Sequence, residues 1–328
     1  MNNSLHRVRA LARHEYRAAV RSKVLVSLLA IMVSVTIVSV YIGSVQYRSQ
    51  LADYLAYRDA AQASGLAQVA PSPLALLALL RGGMEYVEIL GAIIAIALGY
   101  LSVARERANR TLALLRSRPV TAGELAAGSL LGAVSIITTL LAVTGGVAVI
   151  CLGLIGNDWV SGVQVPKLLL AYVFATIYMG AFYCLGALVT ARSRVAANGL
   201  MIALGVWLVV VLILPQIGDT LDADNQVPGG LFAALGLGQS AELQILAHFG
   251  VYEQIRNGIE EASLAKHFER FAFAMTDVTV ALRPLSLAQL LQDRRNDMLW
   301  MVGYAVVLGT GLWRSFTRQL TIPVGGQS

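Results

Sequence analysis

Six apolar stretches, each near the roughly 20 residues a helix needs to cross about 30 Å of hydrocarbon, constrain this chain more than any other feature. They cover residues 24–43, 87–104, 130–155, 166–190, 196–214 and 298–316. Hydrophobic residues make up 57% of the 328 positions and charged residues 13%, a balance outside the range of soluble globular domains. The expected fold class is an all-α integral membrane protein with six transmembrane helices. Glu88 stands near one end of the second stretch, and Trp300 and Trp313 bracket the last, as suits an interfacial aromatic belt. The opening basic region is long and no small-residue cleavage site follows it, so it is expected to be retained.

Basic residues sort by side. Alternate segments, beginning with the N-terminal one, hold 15 of the 25 Lys and Arg but only Glu15, Glu106 and Glu124 among the acids. By the positive-inside rule these segments, including both termini, are cytoplasmic. The net charge of +6 therefore reflects topology and not a nucleic-acid surface, because the arginines flank spans and no recognisable binding module surrounds them.

Outside the spans, Leu5, Val8, Leu11, Ala12, Tyr16 and Ala19 recur at helical spacing while Arg7, Arg9, Arg13, Arg17 and Arg21 occupy mainly the other faces. That pattern predicts a helix on an anionic leaflet, compatible with a simple topology anchor. Residues 44–86 form the first external loop, with an irregular connector around Gly65, Pro71 and Pro73. In the long external segment, Leu264, Phe268, Phe271, Met275, Val278 and Leu282 form one apolar stripe up to Pro284, an amphipathic helix that packs on the spans, the membrane surface or a partner.

Catalytic signatures fail on spacing. "HEYRA" at His14 has Ala18 where a second zinc-binding histidine belongs, and "DADNQ" from Asp222 lacks both the glycine and the closing glutamate of a calcium loop. Glu260, Glu261 and His267 read as a solvated helix face, since charged residues are mostly exposed. Cys151 and Cys184 lie within apolar stretches and read as packing residues. Charge deep within the spans is lacking, which removes the usual mark of a proton relay. Gly91, Ala95 and Gly99 share a helix face, as do Gly128 and Gly132, which points to close helix packing. Without a G-x-x-x-x-G-K-[ST] loop, the chain has no P-loop site for nucleotide.

The stretch "ARERANRTLALLRSRPVTAGEL", residues 104–125, carries five arginines. Each would cost about 2.5–3.5 kcal/mol at mid-membrane, so it leaves the hydrocarbon. It reads as helix, break, helix: residues 105–117 lack a breaker, Pro119 disfavours helix at Arg118, and Thr121 with Glu124 makes a capping box that starts a new helix.

"RERANRTLALLRSRPVTAGELAAGSLLG" resembles the segment between the second and third spans of ABC-2 type transporter permeases, with Arg105, Glu106, Thr111, Leu114, Leu115, Pro119, Val120, Glu124 and Gly128 matching. Arg110, Gly123 and Ser129 depart from it, standing where relatives carry glycine, a charged residue and lysine. "ARHEYRAAVRSKVLV", with Glu15, Arg21 and Lys23, is similar to that family's N-terminal interfacial helix, and the nearest subgroup in resemblance is the NosY-like permeases.

The resemblance implies the permease subunit of an ATP-driven transporter, leaning to export, in the cytoplasmic membrane of a prokaryote. It binds no cofactor itself; ATP and Mg belong to separate ABC ATPase subunits. A second permease copy, or a paralogous permease, completes the membrane unit, and an extracytoplasmic partner protein is a further implied contact. The implied division is an interfacial helix at 1–23, spans 1–5 at 24–214 with a coupling elbow at 104–129, an extracytoplasmic helical segment at 215–297, span 6 at 298–316 and a cytoplasmic tail at 317–328. The elbow residues for ATPase coupling are Arg105, Glu106, Thr111, Leu114, Leu115, Pro119, Val120, Thr121 and Glu124. A membrane scaffold that passes ATPase motion to an extracytoplasmic partner for metalloenzyme maturation is the alternative, ahead of a membrane-embedded hydrolase.

Overall fold

The computed structural model describes residues 2–21, 23–63, 75–108, 121–155, 159–221, 231–236, 244–245 and 250–321. The irregular connector around Gly65, Pro71 and Pro73, the middle of the elbow at 109–120, the calcium-like sequence at Asp222 and the end of the tail lie outside them. Among the described residues every regular element is helical. The main helices are α1 (Asn2–Arg21), α2 (Val24–Ala63), α3 (Arg81–Tyr86), α4 (Ala92–Ala108), α5 (Ala122–Ile155), α6 (Gln164–Arg192), α7 (Ala196–Trp207), α8 (Leu214–Leu221), α9 (Gly250–Glu261), α10 (Leu264–Met275), α11 (Leu287–Asp293) and α12 (Arg295–Thr321).

Five helical runs are long and apolar enough to cross a membrane: Val24–Ala63, Leu76–Arg107, Gly123–Leu154, Gln164–Arg192 and Ala196–Leu221. The 27 residues of α12 supply the length of a sixth, but Gly303, Tyr304, Gly309, Thr310, Gly311 and Arg314 dilute its apolarity. Two boundaries differ from expectation. The first helix does not stop at Gly43 but continues through Ala63, because no glycine or proline interrupts residues 44–63. The second run begins at Leu76, so Glu88, only 8% exposed, is an acid buried within a span.

Helix α6 is the axis of the bundle. It meets α4 at backbone distance: a Cβ added to Gly99 would lie 2.3 Å from the Tyr183 carbonyl oxygen, and one added to Gly186 would lie 2.5 Å from that of Ile96. Small residues permit this approach, which in lipid supplies dispersion contact in place of a hydrophobic drive. A π-helical turn at Val87–Gly91 joins α3 to α4, and a second at Leu208–Ile213 joins α7 to α8. In each, a hydroxyl from another element reaches a backbone carbonyl: Tyr178 donates to Glu88 O at 2.8 Å, and Ser263 to Val210 O at 2.6 Å. Polar backbone groups in hydrocarbon must find such partners within the protein.

The amphipathic stripe packs on its own protein. Phe271 lies 4.4 Å from Phe174 between ring centroids, Phe268 stacks on Tyr178 at 4.6 Å, and Leu264 and Met275 are buried. The helix ends at Met275 and not at Leu282. Asp277 takes a left-handed backbone (φ 55°), its carboxylate accepting from Lys167 Nζ at 2.8 Å and its carbonyl from Arg283 Nε at 2.7 Å.

The polar face of α10 is not the solvated surface the sequence suggested. His267 is buried because the end of α9 and α12 close over that face, while on α9 itself Glu261 is exposed and Glu260 is buried against Gly218 of α8 and Arg270 of α10. His267 Nδ1 sits 2.8 Å from Asp297 Oδ1 and Nε2 3.0 Å from the Glu261 carbonyl, with the ring over Trp300. Arg270 pairs with Glu260, and Arg294 lies 3.6 Å from Asp297. Lys266 reaches Asp219 and Glu269, each at 2.8 Å. Burial pushes the Lys266 ammonium down, but these two carboxylates outweigh it and hold it above its ordinary value. Their contribution to stability is therefore complete below the usual lysine range and fades only as pH rises above it.

Two outcomes follow from this packing. Gly99→Val should lower the unfolding temperature in detergent through an overpacking cost of about 1–3 kcal/mol, whereas Gly146→Ala, with nothing within 4 Å of the added Cβ, should not. Asp297→Ala strands His267, Arg270 and Arg294 around a missing carboxylate and should cost about 3 kcal/mol, read as a loss of thermal stability that Asp53→Ala, in an exposed turn of α2, does not reproduce.

Candidate functional site

At the end of the bundle formed by α1, the close of α4 and the start of α5, five elements converge around the ends of the 109–120 segment. Thr111, Leu114, Leu115, Pro119 and Val120 lie outside the described residues; Arg105, Glu106, Thr121, Glu124, Glu15, Arg21 and Lys23 lie within them.

The start of α5 is a reciprocal cap. Thr121 N donates to Glu124 Oε2 at 3.0 Å and Glu124 N donates to Thr121 Oγ1 at 3.2 Å, satisfying two donors that a helix start leaves free. The same carboxylate, largely buried, takes Arg7 of α1 at 3.2 Å. Helix α1 then runs beside α5 in the same direction: Leu11 Cβ would meet a Cβ on Gly128 at 2.5 Å, Glu15 Cβ one on Gly132 at 2.7 Å, and the Thr139 hydroxyl donates to Tyr16 at 3.4 Å. The glycine spacing visible in the sequence is thus the bed of α1. The apolar face of α1 is applied to protein, and the stripe that remains is cationic. Arg9, Arg13, Arg17 and Arg21, one turn apart, line a groove of about 560 Å³ with His6 and His14. The sequence had spread these arginines over several faces; the structure gathers them on one and sends only Arg7 to a carboxylate.

Lys23 is a hinge by geometry. Its φ of 58° and its amide bond to Val20 O at 3.1 Å turn the chain from α1 into α2. Arg105 stands 3.7 Å from Glu15 and its Nε donates to Leu101 O. Glu106, half-buried, lies within electrostatic range of both Glu15 and Arg105.

Arg107 was missing from the residues picked by sequence. Its two terminal nitrogens donate to Ala191 O at 2.7 Å and Ser193 O at 2.8 Å, closing the last carbonyls of α6 and the turn into α7. Such a cap is invisible in sequence because donor and acceptors are more than 80 positions apart. The departures from the family pattern also gain causes. Ser129 is buried and hydrogen-bonds Tyr183 at 3.0 Å, a site with no room for lysine. Gly123 admits the Trp313 ring of α12, which any Cβ would meet at 2.8 Å.

Among the described residues no group of three or more His, Cys, Asp and Glu is placed to hold a metal, and Cys151 and Cys184 are buried free thiols. What the arrangement offers is a rigid base in which each end of the 109–120 segment is tied to other helices: α4 to α1 and α6, and α5 to α1 and α12.

No curated protein matches the chain. The family model for ABC-2 family transporter proteins matches residues 9–319, from the second turn of α1 through the last turns of α12. With nearly the whole chain so matched, this protein belongs to the ABC-2 family of transporter proteins.

Proposed function

We propose that the chain is the permease subunit of an ATP-driven exporter and that the 104–129 elbow receives motion from a separate ATPase. The observation that carries this is the base of the elbow. Arg105–Glu15, Arg107–Ala191/Ser193 and Arg7–Glu124 link α4, α5, α1 and the α6–α7 turn, so a push on the elbow is shared by four elements and not absorbed by one. The ATPase subunits bring ATP and Mg, and their closure tilts the spans by favouring one of two packings of the permease.

Both termini lie on the cytoplasmic side in this reading, α12 is the sixth span, and the membrane is the cytoplasmic membrane of a prokaryote. A second copy supplies the rest of the membrane unit; the exposed Met201, Ile202, Leu208 and Val209 of the fifth span support such a contact. A second reading, as a NosY-like scaffold that relays motion to an extracytoplasmic partner for metalloenzyme maturation, is favoured by the exposed Val251 and Ile255 of α9 on the opposite end of the bundle.

In liposomes holding this chain and its proposed partner ATPase, Arg107→Ala should cut permease-stimulated ATP hydrolysis about tenfold, a coupling loss of about 1.4 kcal/mol. Glu106→Gln and Pro119→Ala should act in the same direction, with membrane insertion unchanged in all three. Stimulation at the wild-type level in every variant would remove the elbow from the mechanism.

A further inference from the structure

At the end of the bundle far from α1, a cavity of about 510 Å³ opens between α2 and the start of the second span. Its volume falls among the roughly 300–1,000 Å³ pockets that hold small ligands. Tight packing forms the walls: a Cβ on Gly82 would meet Ser39 Oγ at 2.5 Å, and one on Gly43 would meet the Leu79 carbonyl at 3.1 Å. The cavity lies across a polarity boundary. Ile42 and Leu79 line its apolar part at the end of the 24–43 apolar run, and Gln46 and Gln50 line it one and two turns further on. Along α2 the lining therefore passes from hydrocarbon to headgroup depth.

The charge in it is unusual. Two guanidinium groups, Arg81 and Arg283, come from segments about 200 residues apart and line the same space with one carboxylate, Glu85. Both are held in place: Arg81 Nε donates to Glu85 at 2.9 Å while the guanidinium rests 5.4 Å over the Phe273 ring, and Arg283 Nε donates to the Asp277 carbonyl. Fixed like charges converging on one cavity are favourable when an anion joins them, and planar guanidinium forks suit phosphate.

We propose that this cavity binds the phosphate headgroup and upper acyl region of one anionic phospholipid. Arg81 and Arg283 take the phosphate, Gln46 and Gln50 the polar glycerol region, and Ile42 with Leu79 the first methylenes, while the rest of the chains stays in the bilayer. This site does not depend on the ATPase reading, and it lies at the opposite end of the molecule from the cationic groove of α1.

The test is native mass spectrometry of the full chain in neutral detergent, titrated with phosphatidylglycerol or phosphatidylcholine. The α1 arginines give a common background, so the signal is the difference between proteins. The wild type should hold one more phosphatidylglycerol than R81Q/R283Q, with about a tenfold preference over phosphatidylcholine. I42W, which fills the apolar part and leaves both arginines, should lose the same lipid, and R81K/R283K should keep part of it. Melting in lipid-free detergent shows whether each variant is folded; if the double variant is not, I42W and R283Q alone decide. Equal phosphatidylglycerol retention by the folded variants and the wild type overturns the proposal. So does displacement of the lipid by inorganic phosphate at equal concentration, which would make this a phosphate site indifferent to the acyl chains.

Discussion

The backbone contact between α4 and α6 is the constraint from which the rest of the structure follows. With Gly99 and Gly186 holding the two helices at carbonyl distance, the side chains of α6 reach groups that no ordinary interhelical spacing would allow. Tyr183 touches Ser129 in α5, and Tyr178 reaches the π-turn carbonyl of Glu88. The ends of α6 are fixed as well: Lys167 to Asp277 at one, the Ala191 and Ser193 carbonyls to Arg107 at the other. One helix thus carries a polar contact near each end and in the middle of the bundle.

The two ends of the molecule are tied by ions in different ways. Around α10 the pairs are buried and closed: His267, Arg270 and Arg294 share Asp297, and Lys266 sits between two carboxylates. Breaking such groups apart is costly because each charge is left in low dielectric. Among the described residues around the elbow the pairs are more exposed, with Arg105 36% and Arg7 39% accessible, so water and salt screen them.

Much of this was legible in sequence where the physics is local. The helical membrane class and five of the six expected spans followed from apolar length, the Thr121–Glu124 box from its spacing, the close packing at Gly99 and Gly128 from small residues on one face, and the α10 stripe from its period. What escaped was non-local. Glu260 and His267 look like a solvated face because the sequence cannot show that α8 and α10 cover the first and that the end of α9 and α12 cover the second. Arg107 looks like one more span-flanking charge, since its acceptors lie at the end of another helix. The extension of α2 to Ala63 does not show in hydropathy, because the helix outlasts its apolar run and passes through Gly43 into a polar stretch with no further glycine or proline.

The same distinction explains how this chain departs from its family's pattern without losing its architecture. Ser129, where the resemblance led to an expectation of lysine, is buried and bonds Tyr183, so it serves packing between spans. At Gly123 the missing side chain is filled by Trp313, which brings α12 against the first turn of α5 and adds a connection to the elbow's far side. Both positions serve inward contacts, one to α6 and one to α12, so the two helices beyond the elbow are packed directly against the start of α5, while Arg9, Arg13, Arg17 and Arg21 of α1 stand in a single row beside it.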